Sequence, residues 1–420
     1  MSSTSTDPIP VIQHSTARRR LLVVFSTVLS LLIPCGVAWQ LRGRINSGSS
    51  DFSAFYAAGE IVRSGNGARL YDPTVQLNAE RAIPRVGLEN ELLAYAHAPF
   101  EALPFAVLAR LCYKQAVWMY WLINLALPYV CLWFVLPHLP YVASRSDLAV
   151  LAIGVFYPFF VAECQGQDSL FTLMFCTLSF ICSMRGRYWA AGSFLGLAMC
   201  KPPLAIPVLL LLVVSSKKHS PVLAGFLTSC VALLMVSLAT VGWTGIVAYP
   251  RFLSWFAASA NEQLPATASP NLRGLFFSVL GSHVSYSVLV RVVQISSILL
   301  LIFLVWLLLR TKIQVRDIPL VFSIAITATV LVAFHEYGHD LSLMFLPVIL
   351  VWNYAAQYRA DGGNSRLLMA LVPVMLCVPC LTVQYPQIYT CCILFFLAVL
   401  CRQIYKTSVA RPAEQVNAIV

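Results

Sequence analysis

Leu21 to Trp39 is a run of 19 residues without a charge. At about 1.5 Å per residue it can nearly cross the roughly 30 Å of a bilayer's hydrocarbon. Similar segments recur to the end of the chain: Val117 to Leu136, Leu148 to Ala162, Ser169 to Met184, Tyr188 to Cys200, Leu204 to Val214, Val222 to Val241, Val284 to Leu309, Ile318 to Phe334, Leu341 to Asn353, Leu367 to Val383 and Ile388 to Cys401. Backbone N–H and C=O groups find no water in lipid, so spans of this length must be helices, whose hydrogen bonds are internal. With 59% hydrophobic and 11% charged residues, against about 25% charged in soluble domains, the chain cannot be a soluble globular protein. The expectation is an all-α polytopic membrane protein of about 12 membrane helices. Tyr188 to Cys200 and Leu204 to Val214 are short for full crossings and read as half-deep helices meeting at Lys201-Pro202-Pro203.

Charge orients the spans. With Arg18-Arg19-Arg20 in the cytoplasm, an even span count returns the C-terminus to that side. The connections that hold Arg185 and Arg187, Lys217 and Lys218, and Arg310 and Lys312 then also lie inside. The cytoplasmic side carries the entire net charge of +11, and the outer side nets zero. No basic cluster exceeds three residues and no nucleic-acid motif accompanies it, so the charge is read as topology and no nucleic-acid partner is expected. Most of the 13 cysteines sit inside apolar runs, so they are read as small hydrophobes without a redox or zinc role. Residues 1–20 and 403–420 are expected as cytoplasmic tails, and residues 21–402 as one transmembrane domain.

One connection is long. Residues 40–115 follow the first span on the outer side and include helix-like stretches, Phe52 to Arg63 and Pro73 to Arg81. The apolar piece Ala98 to Cys112 is expected along the outer interface. Long structured loops in compact proteins usually carry function. In this topology polar groups distant in sequence share the outer membrane depth. They are Asp51; Glu163, Gln165, Gln167 and Asp168; Lys201; Asn271 and Arg273, after a loop from Gly242 to Pro270; and His335, Glu336, His339 and Asp340. Ionisable groups near hydrocarbon are costly, so several at one depth point to a functional site.

The residue types have a chemical reading. Cations hold a phosphate leaving group while a carboxylate takes the proton of an incoming hydroxyl. An enzyme facing outward has no access to cytosolic nucleotide sugars or ATP, so an activated group must arrive on a lipid carrier. The lack of any G-x-x-x-x-G-K-[ST] or G-x-G-x-x-G motif agrees.

Asp51-Phe52, Tyr56, Ala58-Gly59, Gly65 and Leu70-Tyr71-Asp72, followed by Pro99 and Pro104, Gly166-Gln167, Ala191-Gly192 to Gly196, Lys201-Pro202, Asn271 to Gly274, and His335 with Asp340-Leu341, resemble the polyprenol-phosphate-mannose-dependent mannosyltransferases of glycosyltransferase family 87. The resemblance runs in order from about residue 50 to residue 350. Asp168 and His339 depart from it, standing where the family usually has Asn and often an aromatic. The resemblance implies a GT-C architecture in which the first extracytoplasmic loop carries the catalytic carboxylate, here Asp51. It implies a polyprenyl-phosphate sugar as donor and a glycolipid or glycan as acceptor, with transfer at the outer face of the inner (plasma) membrane. Lys201 and Arg273 are candidates for the donor phosphate. The role of His335 is open between orienting the acceptor, contacting the phosphate and sharing the base role. Tyr56, Tyr71, Gln167, Asp168, Asn271, His339 and Asp340 are candidates for sugar or acceptor. No D-x-D pair occurs in the outer loops, so neither a metal nor another cofactor is expected.

Other readings stand beside these. Asp51 also suits a helix N-cap, Lys201 a residue snorkelling outward, Arg273 a lipid headgroup contact, and Tyr56, Tyr71 and Trp243 interfacial aromatics. His335-Glu336-Tyr337-Gly338-His339 is a literal H-E-x-x-H, the zinc motif of metalloproteases, but that motif needs a continuous helix and Gly338 suggests a turn. A transporter or lipid flippase also fits twelve spans, although no repeat is visible and the polar groups gather at one face rather than the midplane.

Overall fold

The computed structural model describes residues 16–84, 91–216, 218–263, 266–334, 336–358 and 363–417. All twelve apolar segments are helical over most of their length, with a break at Phe156 in one, and no strand occurs among the described residues. The first helix, α1 (Thr16–Asn46), leads into a connection that carries α2 (Phe52–Arg63), α3 (Pro73–Glu80) and α4 (Ala102–Leu108) before α5 (Tyr113–Val135). After the short α6 (Pro140–Ser144), α7 (Ser146–Val155) and α8 (Tyr157–Gln165) meet at an angle of 53°. Pro158 has no N–H with which to continue the ladder of α7. The chain goes on through α9 (Ser169–Met184), α10 (Tyr188–Leu197), α11 (Pro202–Ser215), α12 (His219–Gln263) and α13 (Leu272–Leu280). It ends with α14 (Tyr286–Arg310), α15 (Ile318–Val332), α16 (Phe345–Gln357), α17 (Gly363–Cys377) and α18 (Pro386–Asn417).

Among the described residues seven helical runs are long and apolar enough to cross a membrane, and eight if α7 and α8 form one bent span; α9, α10 and α11 are apolar but shorter. The chain is an all-α polytopic membrane protein. Burial separates centre from periphery: 72% of the apolar window of α15 is buried, against 22% for α1, α12 and α14, which turn leucines, valines and isoleucines outward. One apolar core surrounds α15, and a second lies beneath the first connection, where Phe52 and Phe55 of α2 pack against Phe105 of α4. Close contact of α10 with α12 depends on missing side chains. A Cβ on Gly192 would stand 1.9 Å from the Val222 carbonyl, and one on Gly225 1.9 Å from that of Trp189.

Two sequence expectations change. The stretch after Val241, read as a loop, is helical to Gln263 and merely breaks at Gly242, with φ 65° and ψ −179°. The thiols are not uniformly buried: Cys377 and Cys380, a C-x-x-C pair at the end of α17, are exposed and free, as are Cys35, Cys112 and Cys391.

Candidate active site

The C-terminal ends of α8 and α15 approach the N-terminal ends of α2, α9, α11 and α13. Asp51, Asp168, Lys201 and Asn271 occupy the N-cap positions of those last four helices. Helix N-termini favour negative charge, which suits Asp51 and Asp168 there. Pro202 opens α11 and keeps Lys201 out of helical geometry, at φ −122° and ψ 78°.

The five residues Gln165 to Ser169 are the hub. Gly166 closes α8 with φ 68°, and a Cβ there would come within 2.6 Å of the Phe52 Cβ. The turn therefore lies directly on the first residue of α2, itself fixed by the rings of Phe105, Tyr113 and Tyr120. That contact puts Gln167 beside Asp51, and its Nε2 donates to Asp51 Oδ2 at 2.6 Å. Asp51 forms no cap bond to α2, so the helix-cap reading of this carboxylate does not hold. Gln165 Oε1 meets His339 Nδ1 at 2.8 Å, and Ser169 Oγ donates to Asp340 Oδ1 at 2.8 Å.

Lys201 closes the network. Its Nζ lies 2.5 Å from Asp340 Oδ1, 2.8 Å from Ser169 Oγ and 3.1 Å from Asp168 Oδ1, while His339 Nε2 lies 3.3 Å from Asp340 Oδ2. Burial works against the Lys201 ammonium, yet Asp168 and Asp340 outweigh it and raise the group above the ordinary lysine value. Burial likewise opposes the charge of Asp340, but His339 and Lys201 hold it well below the usual carboxylate range. Lys201 is thus already neutralised by two carboxylates and does not snorkel to solvent.

Arg273 is buried at the start of α13. Its Nη1 donates to the Phe334 carbonyl at 3.4 Å, and its guanidinium lies 4.6 Å from the centre of the Phe334 ring. Asn271 accepts from Gly274 N at 3.1 Å and donates at 2.5 Å to the Ala333 carbonyl, tying α13 to the end of α15. Burial raises the hydroxyl of Tyr337, just beyond that end, and the charge of Arg273 beside it opposes the rise. Tyr56 and Tyr71 bond backbone within the first connection: the Tyr56 hydroxyl donates to Leu111 O at 2.8 Å and that of Tyr71 to His97 O at 2.7 Å.

His335 lies outside the described residues. Glu336 is fully buried, and its carboxyl has no hydrogen-bond partner among the described residues. Burial, with Asp340 adding to it, raises Glu336 far above its ordinary value and so favours its neutral form. The segment 336–339 is not helical, and the H-E-x-x-H pattern therefore lacks the helix that would set two histidines on one face.

Two residues that the sequence reading passed over join the site. His97 Nδ1 lies 3.3 Å from Glu101 Oε2 and 3.7 Å from Asp168 Oδ2. Their four-residue spacing at the head of the Ala98–Cys112 piece was the signal. A cavity of about 360 Å³ lined by Ser179, Ser183, Tyr188, Ser215 and Gln314 contains none of these residues.

A model of glycosyltransferase family 87 matches residues 95–335, more than half of the chain. The match takes in His97, Glu101, Gln167, Asp168, Lys201, Asn271 and Arg273; Asp51 and Asp340 lie outside it. No curated protein and no solved structure matches the chain.

Proposed function

The chain belongs to glycosyltransferase family 87, and from that premise we propose that it moves a hexose, mannose, from a polyprenyl phosphate to a hydroxyl of a glycolipid or glycan. The reaction takes place at the extracytoplasmic face of the inner (plasma) membrane. A glycosyltransferase needs a sugar donor and an acceptor, and for a membrane protein whose candidate site lies at helix ends a lipid-linked donor is the natural supply.

The observation that carries this reading is the state of Asp51. Its carboxylate is half-buried, is free of its own helix and is held through Oδ2 by a neutral amide, so Oδ1 has no hydrogen-bond partner among the described residues. In the proposed step Oδ1 takes the proton of the acceptor hydroxyl as that oxygen bonds to the anomeric carbon. The bond from that carbon to the phosphate oxygen breaks, and its electron pair leaves with the polyprenyl phosphate. Attack from the face opposite the phosphate inverts the centre, so a β-linked donor gives an α-mannoside. Arg273 is the cation for the leaving phosphate, since its fork suits two oxygens. Lys201 acts differently: it holds Asp168 and Asp340 in place as a positioning residue.

Asp51→Asn tests the proposal. The variant is expected to fold and insert normally while transfer from polyprenyl-phosphate mannose falls by about 10²–10⁴-fold, the usual weight of a general base. Release of free polyprenyl phosphate at a near-normal rate by that variant would end the assignment.

A further inference from the structure

We infer that His97, Glu101 and Asp168 form a binding site for one divalent metal ion, ligated by His97 Nδ1, Glu101 Oε2 and Asp168 Oδ2. Each of the three side chains offers a ligand atom within 4.8 Å of the other two. The closest approaches, 3.3 Å and 3.7 Å from Nδ1 to the two carboxylate oxygens, are near what a shared ion imposes. Ligand atoms about 2.1 Å from one metal lie roughly 3.0 to 3.4 Å apart in octahedral or tetrahedral arrangements. The two carboxylates, whose ligand atoms lie within 4.8 Å of each other, would draw together around the ion to close the set.

The surroundings are built for this. Glu101 Oε1 accepts the Ala98 backbone N–H at 3.1 Å, which fixes that carboxylate and leaves Oε2 for an ion. Asp168 is fixed by the Lys201 ammonium 3.1 Å from Oδ1, which leaves Oδ2. Neither Asp168 oxygen receives a bond of hydrogen-bond geometry among the described residues, although the residue is 5% exposed. Lys201 serves Oδ1 alone, so a cation at Oδ2 would give the second oxygen of this buried carboxylate a partner. The His97 ring is pinned by Phe55, with centroids 4.5 Å apart, and by Tyr95 at 5.5 Å, and the Tyr71 hydroxyl holds the His97 carbonyl at 2.7 Å. Outer contacts of this kind orient metal ligands.

Charge agrees. Three carboxylates (Glu101, Asp168 and Asp340) gather around the one ammonium of Lys201, so the cluster is rich in acidic groups that a divalent cation would serve. One imidazole with two carboxylates suits Mn²⁺ or Zn²⁺ better than an all-oxygen ion such as Ca²⁺. A D-x-D search misses such a set because its ligands come from positions 97, 101 and 168. The use of the ion, which rests on the donor reading above, is to hold a phosphate oxygen in an open coordination position, a task that Lys201 is not free to perform.

The test is Mn²⁺ binding to the purified full-length protein in detergent, without donor, followed by electron paramagnetic resonance, with metal content measured as isolated and after chelation. One Mn²⁺ or Zn²⁺ per chain is expected, and His97→Ala and Glu101→Gln should each weaken binding at least tenfold. If His97→Ala fails to fold, the isosteric Glu101→Gln carries the test. Asp51→Asn should bind the ion as the wild type does, so loss of transfer and loss of metal are separate readouts. A folded wild-type protein that takes up neither metal at millimolar concentration, or variants that bind it equally well, would overturn the inference.

Discussion

Replacing Gln167 by Glu changes one atom next to Asp51 and turns a donor into a second carboxylate. The native contact is 2.6 Å from Nε2 to Oδ2, so the two carboxylate charges of Gln167→Glu would sit about 4 Å apart. At an effective dielectric constant of about 20 that repulsion is worth about 4 kcal/mol, or about three pH units at 1.36 kcal/mol per unit. Asp51 is half-exposed, and solvent screening brings the figure down to between about 1.5 and 3 units. The pair then keeps one proton to a higher pH, and the base form appears late. The acid limb of kcat/KM, read from polyprenyl phosphate release across pH, should move up by that amount, with activity recovering on the alkaline side. A limb that stays in place in a folded variant would refute the argument, because Gln167 would then not touch the residue that takes the proton. Equal loss at every pH would refute it as well.

Lys201→Met leaves Asp168 and Asp340 facing each other in a buried site without their cation, which costs about 3–5 kcal/mol; thermal unfolding in detergent should show a clear drop in Tm, and an unchanged Tm would mean that Lys201 is not the centre of the cluster. Glu336→Gln probes the neutral acid. A carboxyl raised in the folded state binds its proton more tightly than in the unfolded chain, so it subtracts stability as pH climbs above its unfolded value near 4. Wild-type Tm should therefore fall between pH 5 and pH 8 by more than that of Glu336→Gln, and parallel curves would show that the buried acid carries no such load.

The fold was legible because lipid leaves a chain few options. Runs such as Leu21 to Trp39 and Ile318 to Phe334 say helix through length and composition alone, and both are helical, the second as far as Val332. The stretch past Val241 misled because Gly242, Pro250 and clustered polar residues resemble a loop, while a single break at Gly242 lets the helix resume. Within the site, the gathering of polar groups was readable and partnership was not. Sequence placed Asp51, Gln167, Asp168, Lys201, His339 and Asp340 at one level; in the structure Asp51 bonds Gln167, and Lys201 joins Asp168, Asp340 and His339 in a second set that meets the first along the Gln165–Ser169 turn. It could not say that Lys201 spends its charge on two carboxylates, nor that Tyr56 and Tyr71 turn their hydroxyls to backbone, since each outcome depends on ångström-scale packing of separate helices. His97 and Glu101 escaped notice because a histidine and a glutamate four apart acquire meaning only when Asp168 arrives from a different helix end.

Four of the site's carboxyl groups differ in what surrounds them, and the difference supports one of them as the proposed proton acceptor. Asp340 is held by an ammonium, an imidazole and a hydroxyl, and Asp168 faces the same ammonium and another imidazole. Cations at such distances stabilise the ionised form and make a carboxylate a poor proton acceptor. Glu336, with no partner, is buried enough to keep its proton and cannot accept another. Asp51 alone is oriented by a neutral amide, which fixes its geometry without cancelling its charge. That arrangement in turn depends on Gly166, whose missing side chain lets Gln167 close on the first turn of α2. Among these four acids the local chemistry therefore supports Asp51 as the proposed base, because only Asp51 combines an open oxygen with a direction fixed by an uncharged partner.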